Sequence, residues 1–270
     1  MNDEAASGGV RAGETARADE TAVVRDQYAA VAAAYRTSKV HATGADLVRM
    51  VELLAPEGTE VAIDLGTGAG HSAVRIAPHV ARVEAIDLVP EMLEQAALLA
   101  AERGVANIAF RACDARALPY PDASFDAAVS RVSAHHWADV PAGIAEAARV
   151  LRPGARIVVV DTVAPSDPAL DSFINAVELL RDPSHGRDLT MAEWERVLTH
   201  AGFRVEVSET EPIELVSADW FARSRTAPWR EAAARRLLTE APPRALEAFR
   251  IAPDGESFCL IRGTLAATRA

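Results

Sequence analysis

The sequence predicts an α/β fold in which helices cover both faces of a mostly parallel sheet. Five strand-sized apolar runs alternate with helical stretches over residues 61–161, a pattern typical of parallel sheets. Half of the 270 residues are apolar, so the chain can bury a substantial core. The formal net charge of −11, without any Lys/Arg-rich run, disfavours nucleic acid as a partner.

The chain before the first strand is predicted to contain a tail and two helices. Residues 1–20 are acidic and offer little to bury, which predicts a disordered tail. Apolar residues at helical spacing follow, with Tyr28, Val31 and Tyr35 on one face of the first helix. "GADLVRMVELLAP" predicts the second helix, which Pro56 ends.

The core elements follow in order, each with its own boundary signals. Pro90 opens a helix that Gly104 closes, Asp139 caps the next helix, and Pro153 with Gly154 is predicted to turn the chain. The five predicted strands are "VAIDL", "VEAIDL", "IAFRACD", "FDAAVS" and "RIVVVD".

The last part of the chain is predicted to form a cap. A helix stopped by Pro183 and a helix closed by Gly202 precede the strand "FRVEVSE". A helical stretch over about 217–249 and a last strand, "SFCLIRGTL", follow. We therefore expect one domain over residues 21–270, with lid helices at 21–56, a core at 57–161 and a cap at 162–270.

The turn after the first strand is the first candidate for a ligand site. In open parallel sheets ligands bind outside the carboxyl ends of the strands, and Gly66, Gly68 and Gly70 leave the backbone bare there. The spacing is G-x-G-x-G, with Asp64 two places before the first glycine, whereas the dinucleotide fingerprint is G-x-G-x-x-G. A pyrophosphate is therefore a poor fit.

S-adenosylmethionine matches the charges at the predicted strand ends better. Its ammonium suits Asp64, its ribose diol suits Asp87 at the end of the second strand, and its adenine suits Asp114 with the N–H of Ala115. Taken in this order, the three strand ends predict S-adenosylmethionine as cofactor and S-adenosylhomocysteine as product.

The same stretches carry a resemblance to a known family. "VAIDLGTGAG", "AIDLVPEML", "CDARALPYPDASFD", "AHHWAD", "ARVLRPGARIVVVD" and "WERVLTHAGF" resemble the class I S-adenosylmethionine-dependent methyltransferases, in the branch of the ubiquinone and menaquinone biosynthesis methyltransferases. "AAAYRTSKVHATGADL" and "LLRDPSH" resemble uncharacterised bacterial members. One departure is Ala155, where the family often has a glycine.

The resemblance implies a Rossmann-like fold with a seven-stranded sheet whose last strand is antiparallel, a helical lid and a cap. It also implies the methionine end of the cofactor at Asp64, Gly66, Gly68 and Gly70, ribose at Asp87, and adenine at Asp114 and Ala115. Further predicted cofactor residues are Tyr35, Thr67, Leu88, Met92 and Arg131.

Candidate catalytic residues follow the fourth strand. Methyl transfer to a hydroxyl requires alignment of the acceptor and removal of a proton, and His135 and His136 are placed to act as general base or to orient the acceptor. Neighbouring side chains should point in different directions, so we expect at most one of them to face the sulfonium. The alternative is that these imidazoles fix the loop through backbone hydrogen bonds or line the cofactor cavity.

Candidate acceptor-binding residues lie in the lid and the cap: Tyr28, His41, Arg181 and His185. Packing of an amphipathic helix is the alternative for Tyr28, and a helix cap is the alternative for Arg181. No metal site is predicted, because His71, His79 and His200 lie on separate predicted helices without ligand spacing.

These observations predict methyl transfer to a small, partly apolar metabolite, with O-methylation favoured over C- or N-methylation. A protein that binds the cofactor without methylating and a nicotinamide-dependent oxidoreductase are the alternatives, and the glycine spacing opposes the second. The expected partner is the small-molecule acceptor, without nucleic acid or membrane. With two separated cysteines and no secretory signal pattern, the expected location is the cytoplasm.

Overall fold

The computed structural model describes residues 21–38 and 42–270, which are built around a seven-stranded sheet. The strands are β1 Val61–Leu65, β2 Arg82–Asp87, β3 Ile108–Ala112, β4 Phe125–Arg131, β5 Leu151–Thr162, β6 Phe203–Val216 and β7 Ser257–Arg269. Their order is β3-β2-β1-β4-β5-β7-β6. Strands β1 to β5 pair in parallel, and β7 is antiparallel to β5 and β6. The predicted fold class is confirmed.

Helices cover both faces of this sheet. They are α1 over residues 21–36, α2 Ala45–Leu54, α3 His71–Ile76, α4 Pro90–Glu102, α5 Val140–Val150, α6 Pro168–Arg181, α7 Met191–His200, α8 Ser217–Arg223, α9 Pro228–Thr239 and α10 Pro243–Ala248. Short 3₁₀ turns lie at Ala77–His79 and Ala134–His136.

Two apolar cores lie on opposite faces of the sheet. Successive side chains of a strand alternate between faces, so Ala62 packs in the core that includes Leu47 and Ile63 packs in the core that includes Ile144. All four side chains are buried. The strands therefore read as continuous apolar runs, as strands buried on both faces do.

The order of the strands places a crevice at the carboxyl end of β1. The chain passes from β1 outward to β2 and β3, then returns to β4 on the other side of β1. Such a switch point is where ligands bind in open parallel sheets. Helix α1 packs beside it, since Ala32 shares a buried cluster with Ala69, Val89 and Met92.

Three elements differ from the sequence prediction. Pro153 and Gly154 lie inside β5, where the pairing with β4 shifts register, so they form a strand irregularity rather than a turn. Strand β6 runs on to Val216, because its charged residues alternate along an exposed face and interrupt the apolar pattern without ending the pairing. The predicted helical stretch at 217–249 is three helices, two of which begin at prolines.

Two predictions concern residues outside the described part of the chain. These are the acidic tail at residues 1–20 and His41. None of the helices in the described residues combines the length and apolarity needed to span a membrane.

Candidate active site

The turn after β1 brings bare backbone to the edge of a cavity. Gly66 and Gly68 have φ values of 70° and 53°, where side chains are strained. A Cβ on Gly66 would lie 1.8 Å from Ser133 Oγ, whereas a Cβ on Gly68 would meet no atom of the described residues within 4 Å. Both glycines line the cavity. The turn therefore excludes a side chain at Gly66 and leaves open space at Gly68.

A side chain is excluded at Gly70 for a different reason. It precedes α3 with a φ of 88°, and a Cβ there would lie 2.7 Å from the Cβ of Ala96 on α4. It is not among the described residues that line the cavity. Gly70 thus allows close packing of α3 against α4, and its predicted contact with the cofactor stays a prediction.

Asp64 lies beneath the turn and is fully buried. Thr67 Oγ1 and Ser72 Oγ each donate a hydrogen bond of 2.6 Å to its Oδ2, and no described residue is hydrogen-bonded to its Oδ1. Burial raises the pKa of Asp64 to about 6. Asp64 is not in the cavity wall formed by the described residues, so its contacts indicate a residue that positions the turn.

Asp87 ends β2 and lines the cavity. Its Oδ2 accepts a hydrogen bond from the Gly68 N–H at 2.7 Å, and its Oδ1 accepts one from the Val89 N–H at 2.9 Å. Burial raises the pKa of Asp87 to about 6, although both backbone donors oppose the shift. One carboxylate therefore connects the glycine turn to the start of α4 at the edge of the cavity.

Asp114 follows β3 and is already ion-paired. Arg116 donates to it from the backbone N–H at 2.8 Å and from Nη2 at 2.6 Å. Burial opposes the shift, but these hydrogen bonds lower the pKa of Asp114. Asp114 and Ala115 both line the cavity, so the predicted adenine contacts lie on the same wall as Asp87.

Two further predicted cofactor residues lie where α1 and α2 contact the core. Arg131, at the end of β4, donates from Nε to Asp46 Oδ2 at 2.5 Å, and both side chains are almost fully buried. The Tyr35 ring lies edge-on to that of Tyr28, with 5.4 Å between centroids. The Tyr35 carbonyl oxygen lies 3.0 Å from His71 Nε2.

One cavity brings together most of the residues predicted from the sequence. The predicted residues that line it are Tyr28, Tyr35, Gly66, Thr67, Gly68, Asp87, Leu88, Met92, Asp114, Ala115, Arg131, His135, His136 and Arg181. Asp64, Gly70 and His185 are not among the described residues of its wall.

The two adjacent histidines both border the cavity, and which of them faces the sulfonium stays a prediction. They lie in the 3₁₀ turn Ala134–His136, in which consecutive side chains are about 120° apart rather than on opposite sides. Their ring centroids are 4.1 Å apart. The polar partners of the two rings are different, and these partners distinguish their chemistry.

His135 is a buried cation. Its Nδ1 lies 2.5 Å from Asp161 Oδ1. Burial lowers the pKa of His135, but the charge and hydrogen bond of Asp161 outweigh it and raise the value to about 10. At neutral pH the ring is therefore protonated and cannot accept a proton.

His136 is neutral and contacts Tyr28 of α1. Its Nε2 lies 2.6 Å from the Tyr28 hydroxyl, and its Nδ1 lies 3.1 Å from the Ser184 carbonyl oxygen. Burial and then the positive charge of His135 lower the pKa of His136 to about 4. The Tyr28 hydroxyl also lies 3.3 Å from Asp182 Oδ2.

The structure places Arg181 in the cavity wall and His185 outside it. Arg181 lines the cavity, donates from Nε to the Trp220 carbonyl oxygen at 3.2 Å and has its guanidinium 4.8 Å from the centre of the Trp220 ring. His185 is buried behind the wall, with its Nε2 3.0 Å from Asn175 Oδ1. Burial, followed by the charge of His135, lowers the pKa of His185 to about 2.

Sequence reasoning did not identify three groups near the site: Asp182, Ser184 and Arg223. Asp182 and Ser184 follow α6 and contact Tyr28 and His136, and Arg223 ends α8 at the cavity. None of them belongs to a spaced motif. The adjacency of Asp182 and Ser184 to Arg181 and His185 in "LLRDPSH" is the only signal in the sequence that favoured them.

The comparisons with known proteins agree with this geometry. The profile of the family described as "Methyltransferase domain" matches residues 63–159. The uncharacterised methyltransferase YcgJ of Bacillus subtilis is 36% identical over 230 residues, which are 84% of this chain and 91% of YcgJ. The crystal structure of YcgJ superimposes with a TM-score of 0.80 at 33% identity, covering 83% of this chain and 97% of that one.

Two further relatives match more than half of the chain. The uncharacterised protein YafE of Escherichia coli is 38% identical over 161 residues, 60% of this chain and 78% of YafE. A demethylmenaquinone methyltransferase of Deinococcus radiodurans is 34% identical over 155 residues, 55% of this chain and 64% of that enzyme. These likenesses oppose the oxidoreductase alternative. The chain belongs to the class I S-adenosylmethionine-dependent methyltransferases.

Proposed function

We propose that this methyltransferase transfers the methyl group of S-adenosylmethionine to a hydroxyl group of a small molecule. The observation that carries the proposal is the 2.6 Å contact between the Tyr28 hydroxyl and His136 Nε2, on the wall of the cavity that begins at the glycine turn. A hydroxyl must lose its proton when it is methylated, and a neutral imidazole can take it. In this proposal residues 21–56 are a lid and residues 162–270 a cap over the core.

The cofactor end of the cavity fits S-adenosylmethionine. Gly68 leaves space that a side chain would fill, and Asp87 offers carboxylate oxygens beside that space. Met92 and Leu88 add apolar surface to the same wall. When bound, the cofactor supplies a methyl group activated by its sulfonium. The chain must orient the acceptor and keep water away, and the lid residue Tyr28 supports both roles because it packs over the cavity.

The hydrogen bonds around His136 favour the base-competent tautomer. The Ser184 carbonyl oxygen can only accept, so the Nδ1 atom of a neutral His136 carries the proton and donates to it. Ser184 Oγ is engaged as a donor to Asp182 Oδ1 at 2.5 Å. The lone pair of Nε2 is therefore left for the Tyr28 hydroxyl or for an acceptor hydroxyl that replaces it.

The experiment uses S-adenosylmethionine carrying a ¹³C-labelled methyl group. The protein is incubated with a metabolite extract of the cells that naturally express it, and the dialysable fraction is examined by NMR. We expect a new methoxy resonance that is absent without protein. Label on carbon or nitrogen would contradict O-methylation, label only in macromolecules would contradict a small acceptor, and binding of S-adenosylhomocysteine without any transfer would favour the non-methylating alternative.

Two arginines in the cavity wall, Arg181 and Arg223, favour an acceptor that carries a negative charge. Within residues 21–38 and 42–270, neither is ion-paired with a carboxylate. Arg223 Nε has no hydrogen-bond partner in that part of the chain. Burial and then the charge of Arg181 lower the pKa of Arg223. Buried charges are normally paired, so we include an anionic group of the acceptor, such as a carboxylate, in the proposal.

Replacing Arg223 by glutamine is expected to weaken binding of phenolic carboxylates, measured as the dissociation constants of hydroxybenzoates in the presence of S-adenosylhomocysteine. Loss of a hydrogen bond to a charged group corresponds to a roughly 10- to 100-fold change. Affinity for the matching methyl esters should change little. Arg236→Gln is the control, since the Arg236 side chain is 76% exposed and pairs with Glu240. If Arg223→Gln also bound S-adenosylhomocysteine more weakly, Arg223 would interact with the carboxylate of the cofactor rather than with the acceptor. That result would contradict this part of the proposal.

A further inference from the structure

A cluster of three buried side chains lies at the cavity wall, where Glu178 lines the cavity and His185 and Asp188 lie outside the lining. Glu178, His185 and Asp188 are 4%, 5% and 1% exposed, and each offers one ligand atom within 4.8 Å of the others. Glu178 Oε1, His185 Nδ1 and Asp188 Oδ2 have no hydrogen-bond partner among the described residues. Buried polar atoms are rarely left unpartnered, so three in one cluster require an explanation.

The neighbouring hydrogen bonds fix the tautomer of His185. Asn175 Nδ2 donates to Asp171 Oδ1 at 2.7 Å, and Asn175 Oδ1 accepts from the Asp188 N–H at 2.7 Å. The carboxamide oxygen therefore faces His185 Nε2, which lies 3.0 Å away and must carry the proton. Protonated Nδ1 would lack an acceptor, because Glu178 Oε2 is 3.7 Å away. His185 Nδ1 thus presents a lone pair to the cluster.

A lone pair and two carboxylates that face one another repel unless a cation or a shared proton lies among them. The ring centroid of the protonated His135 is 5.8 Å from that of His185, but His135 is already paired with Asp161. Among the residues the structure describes, neither Glu178 nor Asp188 has an arginine or lysine within ion-pair distance. The cluster therefore combines unpartnered donor atoms with two carboxyl groups that form no ion pair with an arginine or lysine of the described residues.

We propose that Glu178, His185 and Asp188 together bind one divalent transition metal ion, Zn²⁺ or Mn²⁺. An imidazole nitrogen with two carboxylates is a ligand set that these ions accept. Ligands at about 2.1 Å from an ion lie no more than about 4 Å apart, so the ligand atoms need to approach by about 1 Å. Asn175 already supplies the partner that ligating histidines normally have on their other nitrogen. Thr162 Oγ1 donates to Asp188 Oδ1 at 2.5 Å and orients that carboxylate.

The ion would connect α6 to the loop that follows it. Glu178 lies on α6, whereas His185 and Asp188 lie in the segment that also contains Asp182 and Ser184. That segment contacts His136 and Tyr28. The metal is therefore a positioning element for the wall of the acceptor cavity. The spacing of histidines in the sequence does not indicate this site, because two of its three proposed ligands are carboxylates and one of them comes from α6.

The test measures metal binding by the full chain after treatment with a chelator. We expect calorimetric titration with ZnCl₂ or MnCl₂ to show one ion per chain and a higher melting temperature with the ion than without it. Glu178→Gln and His185→Gln should each lose affinity by on the order of 100-fold or more. Binding of S-adenosylhomocysteine should persist in the metal-free protein, so this test is independent of the methyl-transfer proposal.

The control is His200→Gln, because His200 is an exposed histidine on α7 that contacts the Arg196 carbonyl oxygen. It should bind the ion as the wild type does. Glu178→Gln keeps the side-chain shape and replaces one carboxyl oxygen by an amide nitrogen that cannot bind the ion, so it should fold even if His185→Gln does not. No saturable site for either ion, or wild-type affinity in Glu178→Gln, would overturn the proposal. A proton shared between Glu178 and Asp188 would then explain the cluster.

Discussion

Replacing Asp87 with alanine is expected to lower the affinity for S-adenosylhomocysteine by at least about 100-fold, measured by calorimetric titration. The Asp87 carboxylate accepts backbone hydrogen bonds from Gly68 and Val89, so its removal releases the glycine turn and the start of α4 together. The variant also loses the acceptor proposed for the ribose hydroxyls. Two independent contributions to cofactor binding therefore depend on one side chain.

The pH dependence of cofactor binding gives a second measure of Asp87. Burial raises the pKa of Asp87 to about 6, so the carboxylate is ionised above that pH and protonated below it. The ionised form accepts a hydrogen bond from the turn and, in the proposed site, from a ribose, so affinity should fall as the pH decreases through about 6. Asp87→Asn should show a smaller fall. Asp122→Asn is the control, because the Asp122 side chain is 79% exposed and its contact is with Arg149. Unchanged affinity in Asp87→Ala would contradict the assignment of the cofactor end.

The residues of the candidate site that lie in short continuous motifs could be predicted from the sequence, because their proposed roles depend on local backbone conformation. Gly66, Gly68 and Asp87 lie at strand ends, and their roles depend on backbone conformation and on the topology of a parallel sheet. Asp64 and Gly70 belong to the same motif but lie outside the cavity lining. Asp64 accepts a hydrogen bond from Thr67 in the turn, and Gly70 allows α3 to pack closely against α4. A sequence pattern places residues near a turn, but burial decides whether they face a ligand.

The acceptor end was less predictable because its residues come from distant segments. The Tyr28 hydroxyl contacts His136 although the two residues are 108 positions apart, and Arg181 and Arg223 line the same cavity although they lie on different helices. The charge states of the histidines were also not predictable. His135 and His136 are neighbours in sequence, but Asp161, which comes from β5, makes one of them a cation. Such contacts depend on tertiary packing rather than on local pattern.

Replacing His136 with glutamine is expected to lower kcat for O-methylation by roughly 10²- to 10⁴-fold, the range that general base catalysis contributes. The dissociation constant of S-adenosylhomocysteine should stay near the wild-type value, because the cofactor contacts proposed for Asp87 and Gly68 lie at the end of β2 and in the turn after β1. Glutamine keeps a polar side chain of similar reach but cannot take a proton at neutral pH. Turnover is measured with the acceptor identified by the methyl-labelling experiment, and Trp229→Phe is the control, since Trp229 is 64% exposed.

The pH dependence of kcat shows which of the two histidines, His136 or His135, acts as the base. The low pKa of His136, about 4, means that its ring is neutral above that pH, so kcat should rise near pH 4 and stay level from about pH 5 to 8. If His135 were the base, activity would rise only as the pH approaches about 10, where its imidazolium loses the proton. Tyr28→Phe keeps the ring packing and removes the hydroxyl, so a moderate loss of kcat with a similar profile would place Tyr28 as the residue that orients the acceptor toward His136. A profile that rises through pH 10 would instead require proton transfer to His135 and contradict the mechanism.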